Sequence, residues 1–224
     1  MAGITIAIDG FSGCGKSSTA KALADEFGYI YIDTGAMYRG ITYLFLKEGI
    51  DFNNDLQVEK ALDNIELRFE KLESGDIHLF NKDEDLEPFL RTMEVNKSVS
   101  DISAVESVRK KLVAEQQRFG KDGGIVMDGR DIGTVVFPNA EMKLFLTADI
   151  KTRAFRRQKQ LLEEGVEVSI DEIIDNFKRR DEIDSTRKVS PLRKADDAIE
   201  IDTTNLAFED QLKRIVELSK EVRK

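Results

Sequence analysis

The stretch "IAIDGFSGCGKSST", residues 6–19, runs from a short apolar segment straight into a cluster of small residues and a lysine. Within it Gly10-Phe11-Ser12-Gly13-Cys14-Gly15-Lys16-Ser17 fits G-x-x-x-x-G-K-[ST] without a mismatch. Glycines let successive backbone N–H groups turn inward and let a ligand come close, because no Cβ stands in the way. A helix beginning near Gly15 adds its positive end and its unpaired N–H groups. Lys16 supplies a mobile charge for β- and γ-phosphates, and Ser17 a hydroxyl for Mg²⁺. Gly10 to Ser18 therefore make room for a triphosphate such as ATP. Cys14 reads as a small filler whose N–H faces the phosphates, although a thiol near a helix N-terminus can be activated.

Working outward, "GITIAI" before the loop reads as a buried strand and "GKSSTAKALADEFG" as a helix ending at Gly28. "YIYI" is a second strand and "GAMYRGITYLFLKEG" a helix closed by Gly49. Much later "GIVMD", "MKLFLTA" and "AIEID" read as three more short apolar strands, with helical periodicity in 150–164 and 206–223. Five short strands interleaved with helices predict an α/β fold, a parallel sheet covered on both faces. Residues 53–103 break the rhythm. Here "IELRFE", "GDIHLF" and "EDLE" are half-polar, separated by turn residues and flanked by two polar helices. They predict a small antiparallel unit inserted into a core of 1–52 and 104–224, and an insertion of that size in a compact domain usually has a task.

Composition narrows the classes. Hydrophobic residues make up 41% and charged residues 34% of the 224, with a net charge of −9. A partner with a nucleic-acid backbone calls for a basic surplus, so no polymer of that kind is expected. No apolar stretch approaches the roughly 20 residues of a membrane span, and "MAGITIAIDG" lacks the basic start of a signal peptide. With a single cysteine, Cys14, a reducing cytoplasm is the expected setting, and the chain is expected to act as a monomer. The single histidine, His78, argues against a serine–histidine triad or a histidine metal cluster. Residues 153–193 hold seven of the fifteen arginines, interspersed with nine acids. Arginine's planar fork grips phosphate or carboxylate with two bonds, so a small anion suits this region better than a polymer.

A phosphate-binding loop alone leaves kinases, GTPase switches, motors and nucleotide sensors open. Asn81-Lys82-Asp83-Glu84 comes close to the guanine-reading N-K-x-D, but it ends in Glu and reads as a solvated turn. "DTGAMYRG" after the second strand puts Asp33, Thr34 and Arg39 near a helix start. "DGRDIGTVVFP" after the third puts Asp128, Arg130 and Asp131 in one loop. Loops at the carboxyl ends of a parallel sheet meet in the ligand crevice. Two arginines arriving beside a triphosphate site imply a phosphoryl acceptor that is itself a phosphate. Asp128, at the end of its strand, is placed to order Mg²⁺ or its waters.

With "GFSGCGKSS", "DTGAMYR", "DGRDIGTVVFP" and "RRDEIDSTRKVSPLRKADDAIEIDTT" in unbroken order around the insertion, the chain resembles bacterial-type cytidylate kinase, a P-loop nucleoside monophosphate kinase. Adenylate, guanylate and thymidylate kinases share the loop but lack this insertion and this last block. Thr34 stands where serine is common in the family; both offer a hydroxyl. The resemblance implies transfer from ATP to CMP or dCMP with Mg²⁺. It implies that Arg39, Arg130 and Arg187 hold the CMP phosphate. Arg180 and Asp184 would reach its ribose and phosphate side, with Thr34 near the sugar. Ser100, Arg109 and Asp131 would read the cytosine. Arg91 and Ser100 would lie at the base of a pocket walled by the insertion. Arg153 and Arg157 would be lid arginines over ATP, in a lid of about 150–190, and "DTT" at 202–204 would sit beside the adenine. A kinase for another monophosphate such as UMP, and a sensor that binds ATP without turning it over, are the other readings.

Overall fold

The computed structural model describes residues 3–222. The chain first alternates β1 (Thr5–Gly10), α1 (Lys16–Phe27), β2 (Ile30–Asp33) and α2 (Thr34–Glu48). Then come α3 (Asp55–Asp63), β3 (Leu67–Lys71), β4 (Ile77–Asn81), β5 (Glu84–Asp85), α4 (Met93–Ser103) and α5 (Glu106–Phe119). The alternation resumes with β6 (Ile125–Gly129), β7 (Met142–Thr147), α6 (Ile150–Glu163), α7 (Ile170–Thr186), β8 (Ile199–Asp202) and α8 (Phe208–Val222). The chain divides into two compact units, one running up to Asp33 and resuming at Gln117, the other spanning Thr34–Gln116.

In the first unit all five strands are parallel, in the order β2-β6-β1-β7-β8. β1 is central and buried at every position, which is why "TIAI" carries no alternation: both faces are covered. Ile6, Ile8, Leu144, Leu146, Val126 and Ile201 form a core with Leu23 of α1 and Ile215 of α8. The chain leaves β1 for the outer strand β2, returns to β6, and only then crosses to β7. The order therefore switches on either side of β1, and the carboxyl ends Gly10 and Gly129 flank the crevice such a switch creates. α6 and α7 share a smaller core of Ala154, Ile173 and Phe177. α7 opens on a capping box between Ser169 and Glu172, which satisfies two otherwise unpaired N–H groups.

The second unit holds the expected small antiparallel sheet, β3-β4-β5. Asn81-Lys82-Asp83-Glu84 is its hairpin turn, with Lys82 and Asp83 exposed, as the reading of it as a solvated turn requires. The unit is wider than 53–103 because α2 packs on α4 and on β4. Among the described residues no helix is long and apolar enough to cross a membrane.

Candidate active site

The donor loop between β1 and α1 has the backbone its glycines were expected to supply. Gly10 has φ +147°, and a Cβ there would stand 2.1 Å from the Leu146 carbonyl oxygen. Gly13 has φ +76°, and a Cβ would meet the Phe177 ring at 2.8 Å. Gly15, in the left-handed region, caps α1. Lys16 is buried at 6% exposure, and its Nζ donates to the Phe11 carbonyl at 2.6 Å. Burial, then the nearby Arg130 charge, push the Lys16 ammonium below its ordinary range. Cys14 is fully buried and its Sγ donates to the Phe11 carbonyl, consistent with a filler.

Beside the loop lies an all-oxygen cluster. Asp33 and Asp128 are register partners on β2 and β6. Ser17 Oγ donates to Asp128 Oδ2 at 3.0 Å, and Tyr31 Oη donates to Oδ1 at 2.9 Å. Burial and the Asp33 carboxylate push Asp128 up to about 6. Two acids whose mutual repulsion a cation would relieve, with a hydroxyl beside them, fit Mg²⁺, which takes one or two carboxylates and completes its shell with phosphate oxygens and water.

The third cluster is built of arginines already engaged with acids. Arg130 Nε donates to Asp184 Oδ2 at 2.7 Å, and its Nη2 donates to Ser12 Oγ of the donor loop at 2.8 Å. Arg187 Nη1 donates to the other Asp184 oxygen at 3.4 Å, and its Nη2 lies 3.7 Å from Asp131 Oδ1. Burial works against the Asp184 charge, but Arg130 and Arg187 outweigh it and hold the carboxyl below its usual range. Arg153 is buried. It pairs with Asp181 at 2.7 Å and donates to the Ser12 carbonyl at 3.0 Å, its guanidinium 5.5 Å from the centre of the Phe11 ring and 5.6 Å from that of Phe177. Arg157 and Arg180 are half-buried on α6 and α7.

In the second unit Thr34 opens α2 and is buried, and Arg39 lies half-buried one turn on. Ser100 of α4 and Arg109 of α5 are both buried, Arg109 at 1% exposure. Arg109 Nη1 donates to the Ser103 carbonyl at 3.2 Å, with its guanidinium 5.3 Å from the centre of the Tyr38 ring. Arg91 differs: it is exposed before α4, 3.9 Å from Glu87.

Residues 6–221 match the family described as cytidylate kinase. The chain belongs to the cytidylate kinase family. A cytidylate kinase of Bacteroides thetaiotaomicron is 51% identical over 216 residues, 94% of each chain. One from Flavobacterium psychrophilum is 48% identical, covering 97% of this chain and 98% of its own. The solved structure of an uncharacterized protein from Eubacterium ventriosum aligns with a TM-score of 0.52 at 14% identity, over 97% of this chain and 98% of that one. That likeness speaks for the fold alone.

Four groups in this cytidylate kinase family member escaped sequence reasoning. Asp9 accepts two backbone hydrogen bonds from the turn after β6, and a lone acid near the end of an apolar strand was the available signal. Tyr31 reaches Asp128, and nothing in "YIYI" distinguishes it from a core tyrosine. Arg156 donates to both the hydroxyl and the carbonyl of Thr203, the middle residue of "DTT". Asp181, paired with Arg153, is hidden in a run of charges.

Proposed function

We propose that the chain transfers the γ-phosphoryl group of ATP to CMP or dCMP, giving CDP or dCDP. The observation that carries this reading is Arg130, which bonds Ser12 of the donor loop and Asp184 together, with Arg187 on the same carboxylate. Two guanidiniums beside a triphosphate loop suit an acceptor that brings its own phosphate, and a nucleotide sensor has no use for them.

Phosphoryl transfer asks little covalent work of a protein; it asks for alignment and charge stabilisation. Lys16 would balance charge gathering on the transferred group, and a bound triphosphate would offset the burial that depresses its own charge. Arg39, Arg130 and Arg187 would hold the acceptor phosphate, whose anionic oxygen needs no strong base. Arg180, Asp184 and Thr34 would hold the sugar side, and Ser100, Arg109 and Asp131 the cytosine. Arg153 would brace the donor loop through Ser12, with Arg157 beside it over ATP. Ser17 and Asp128 would hold Mg²⁺, which when bound neutralises phosphate charge. The 150–190 segment would close to keep water from the phosphoryl group. We place the reaction in the cytoplasm, carried out by a monomer.

The test is ADP formation from ATP and Mg²⁺ with each ribonucleoside monophosphate and dCMP in turn. Strict dependence on CMP or dCMP is expected. Equal turnover with UMP would widen the substrate class, and ATP binding without acceptor-dependent ADP would return the sensor reading.

A further inference from the structure

Asp9 immediately precedes Gly10 in β1, a strand buried at all six positions. Packing explains its apolar neighbours. It does not explain a carboxylate, since removing an ionised acid from water is costly unless every oxygen finds a donor. Both do. Ile132 N–H donates to Oδ1 at 2.8 Å and Gly133 N–H to Oδ2 at 2.8 Å.

Those two amides open the turn that follows Arg130 and Asp131 after β6. The Ile132 N–H shares one rigid peptide plane with the Asp131 carbonyl. That carbonyl in turn accepts from Val135 N–H at 2.9 Å and Val136 N–H at 3.2 Å, in a turn wound as a π-helix over Ile132–Val136. Such turns are uncommon and concentrate at functional sites. The peptide after Asp131 is thus held at both edges, by Asp9 on one side and by the turn on the other. One residue earlier stands Arg130, bonded to Ser12 and Asp184. Burial pushes the Asp9 carboxyl up to about 7, and the two amides pull against it; they are what keeps its ionised form within reach near neutrality.

We propose that Asp9 is a positioning residue that clamps Ile132 and Gly133, and so presents Arg130 and Asp131 to the acceptor in fixed relation to the donor loop beginning one residue after it. The inference rests on the CMP kinase reading and deepens it: acceptor recognition is set from inside the donor strand. An ordinary sheet residue could support the core. A group with two acceptor oxygens side by side is needed to hold two successive amides.

Asp9→Asn keeps the volume but accepts at one oxygen only, turning an NH₂ toward the second amide. KM for CMP should rise about tenfold, the weight of one lost hydrogen bond to a charged group. The preference for CMP over UMP should fall with it. Affinity for a non-hydrolysable ATP analogue without CMP should stay within about twofold, a split that a general structural role would not give. If both substrates weaken together, or kcat falls while KM for CMP and the CMP-to-UMP ratio stay put, Asp9 is a strut of the sheet and the proposal fails. Should the variant not fold, amide hydrogen exchange in the wild type decides. Ile132 and Gly133 should be protected before any acceptor is added; exchange as fast as in exposed loops would overturn the clamp. Failure of the acceptor reading shows elsewhere, as a wild type that makes no ADP with CMP, and the exchange result still judges Asp9.

Discussion

In the proposed reaction the donor loop and the arginine cluster would bind the same kind of group by opposite means. The loop spans eight consecutive residues and offers mainly backbone: three glycines with positive φ and the N-terminal end of α1. The cluster draws Arg130, Asp131, Asp184 and Arg187 from two distant segments and offers side chains. Its charges are already committed, since Asp184 holds both arginines. A backbone site needs only local conformation and its signature is contiguous. A side-chain site needs counter-charges to keep like-charged arginines together before a ligand arrives, and those partners are scattered along the chain. An incoming phosphate must then compete with Asp184 for the same guanidiniums. On the proposed reading this would make the cluster selective: only an anion placed as well as a carboxylate would displace it.

Lys16→Ala should have the largest effect, because it removes the one side-chain charge of the loop. Turnover should fall about a hundredfold or more, the usual weight of a single transition-state donor. Melting temperature should hold, since the Phe11 carbonyl keeps its bond from Cys14 Sγ and a buried charge is removed. Retention of more than about a tenth of the rate would mean that backbone alone serves the donor.

Asp131→Asn addresses the other side of the comparison. Cytosine offers an N4 amino donor where uracil has an acceptor, so a carboxylate favours the first and repels the second. An amide can turn to suit either. The CMP preference in kcat/KM should shrink by about 1–3 kcal/mol, while kcat/KM for both falling in parallel would assign Asp131 to ordering the site through Arg187.

Tyr31→Phe deletes one of the hydrogen bonds on Asp128. Half-maximal activity should require several-fold more Mg²⁺, in line with roughly 0.5–1.5 kcal/mol for one hydrogen bond, with little change at saturating metal. The same Mg²⁺ requirement in both proteins would remove Tyr31 from the account.

The smallest effect lies outside both regions, at His78 on β4. Its Nδ1 lies 2.8 Å from Asp85 Oδ2, and that hydrogen bond raises the imidazole above its ordinary range. A raised histidine stabilises fully below its unfolded value near 6.5, and the contribution is lost as pH climbs through the folded value. For this half-exposed pair it should be under about 1 kcal/mol. His78 is the sole histidine, so one imidazole resonance followed by NMR suffices. Asp85→Asn should bring its midpoint down, and an unmoved midpoint would dissolve the pair.

The contrast between the two sites also explains what could be read from sequence. The five parallel strands, the small antiparallel sheet and the donor loop all follow from local pattern: apolar runs, turn residues and fixed glycine spacing. Arg130 and Asp131 were legible because they directly follow a strand. Asp184 and Arg187 entered only through family resemblance, since one turn of a charged helix looks like any other. Asp9 and Tyr31 were missed for a different reason. Their partners, Ile132, Gly133 and Asp128, lie roughly a hundred residues or more away, and two of the three bonds go to backbone amides, which no side-chain pattern announces. Arg91, whose role also comes only from the resemblance, sits exposed beside Glu87.

The burial of Cys14 has a practical side. The chain carries one thiol, buried within the loop itself with its Sγ donating to the Phe11 carbonyl. An alkylating reagent can reach it only when the loop opens, so labelling reports the population of that open form, or its opening rate where alkylation outpaces reclosing. A nucleotide seated on the loop has to be shed first. The rate of modification, followed by mass alone, therefore becomes a clock for donor-loop breathing that needs no engineered probe and no turnover.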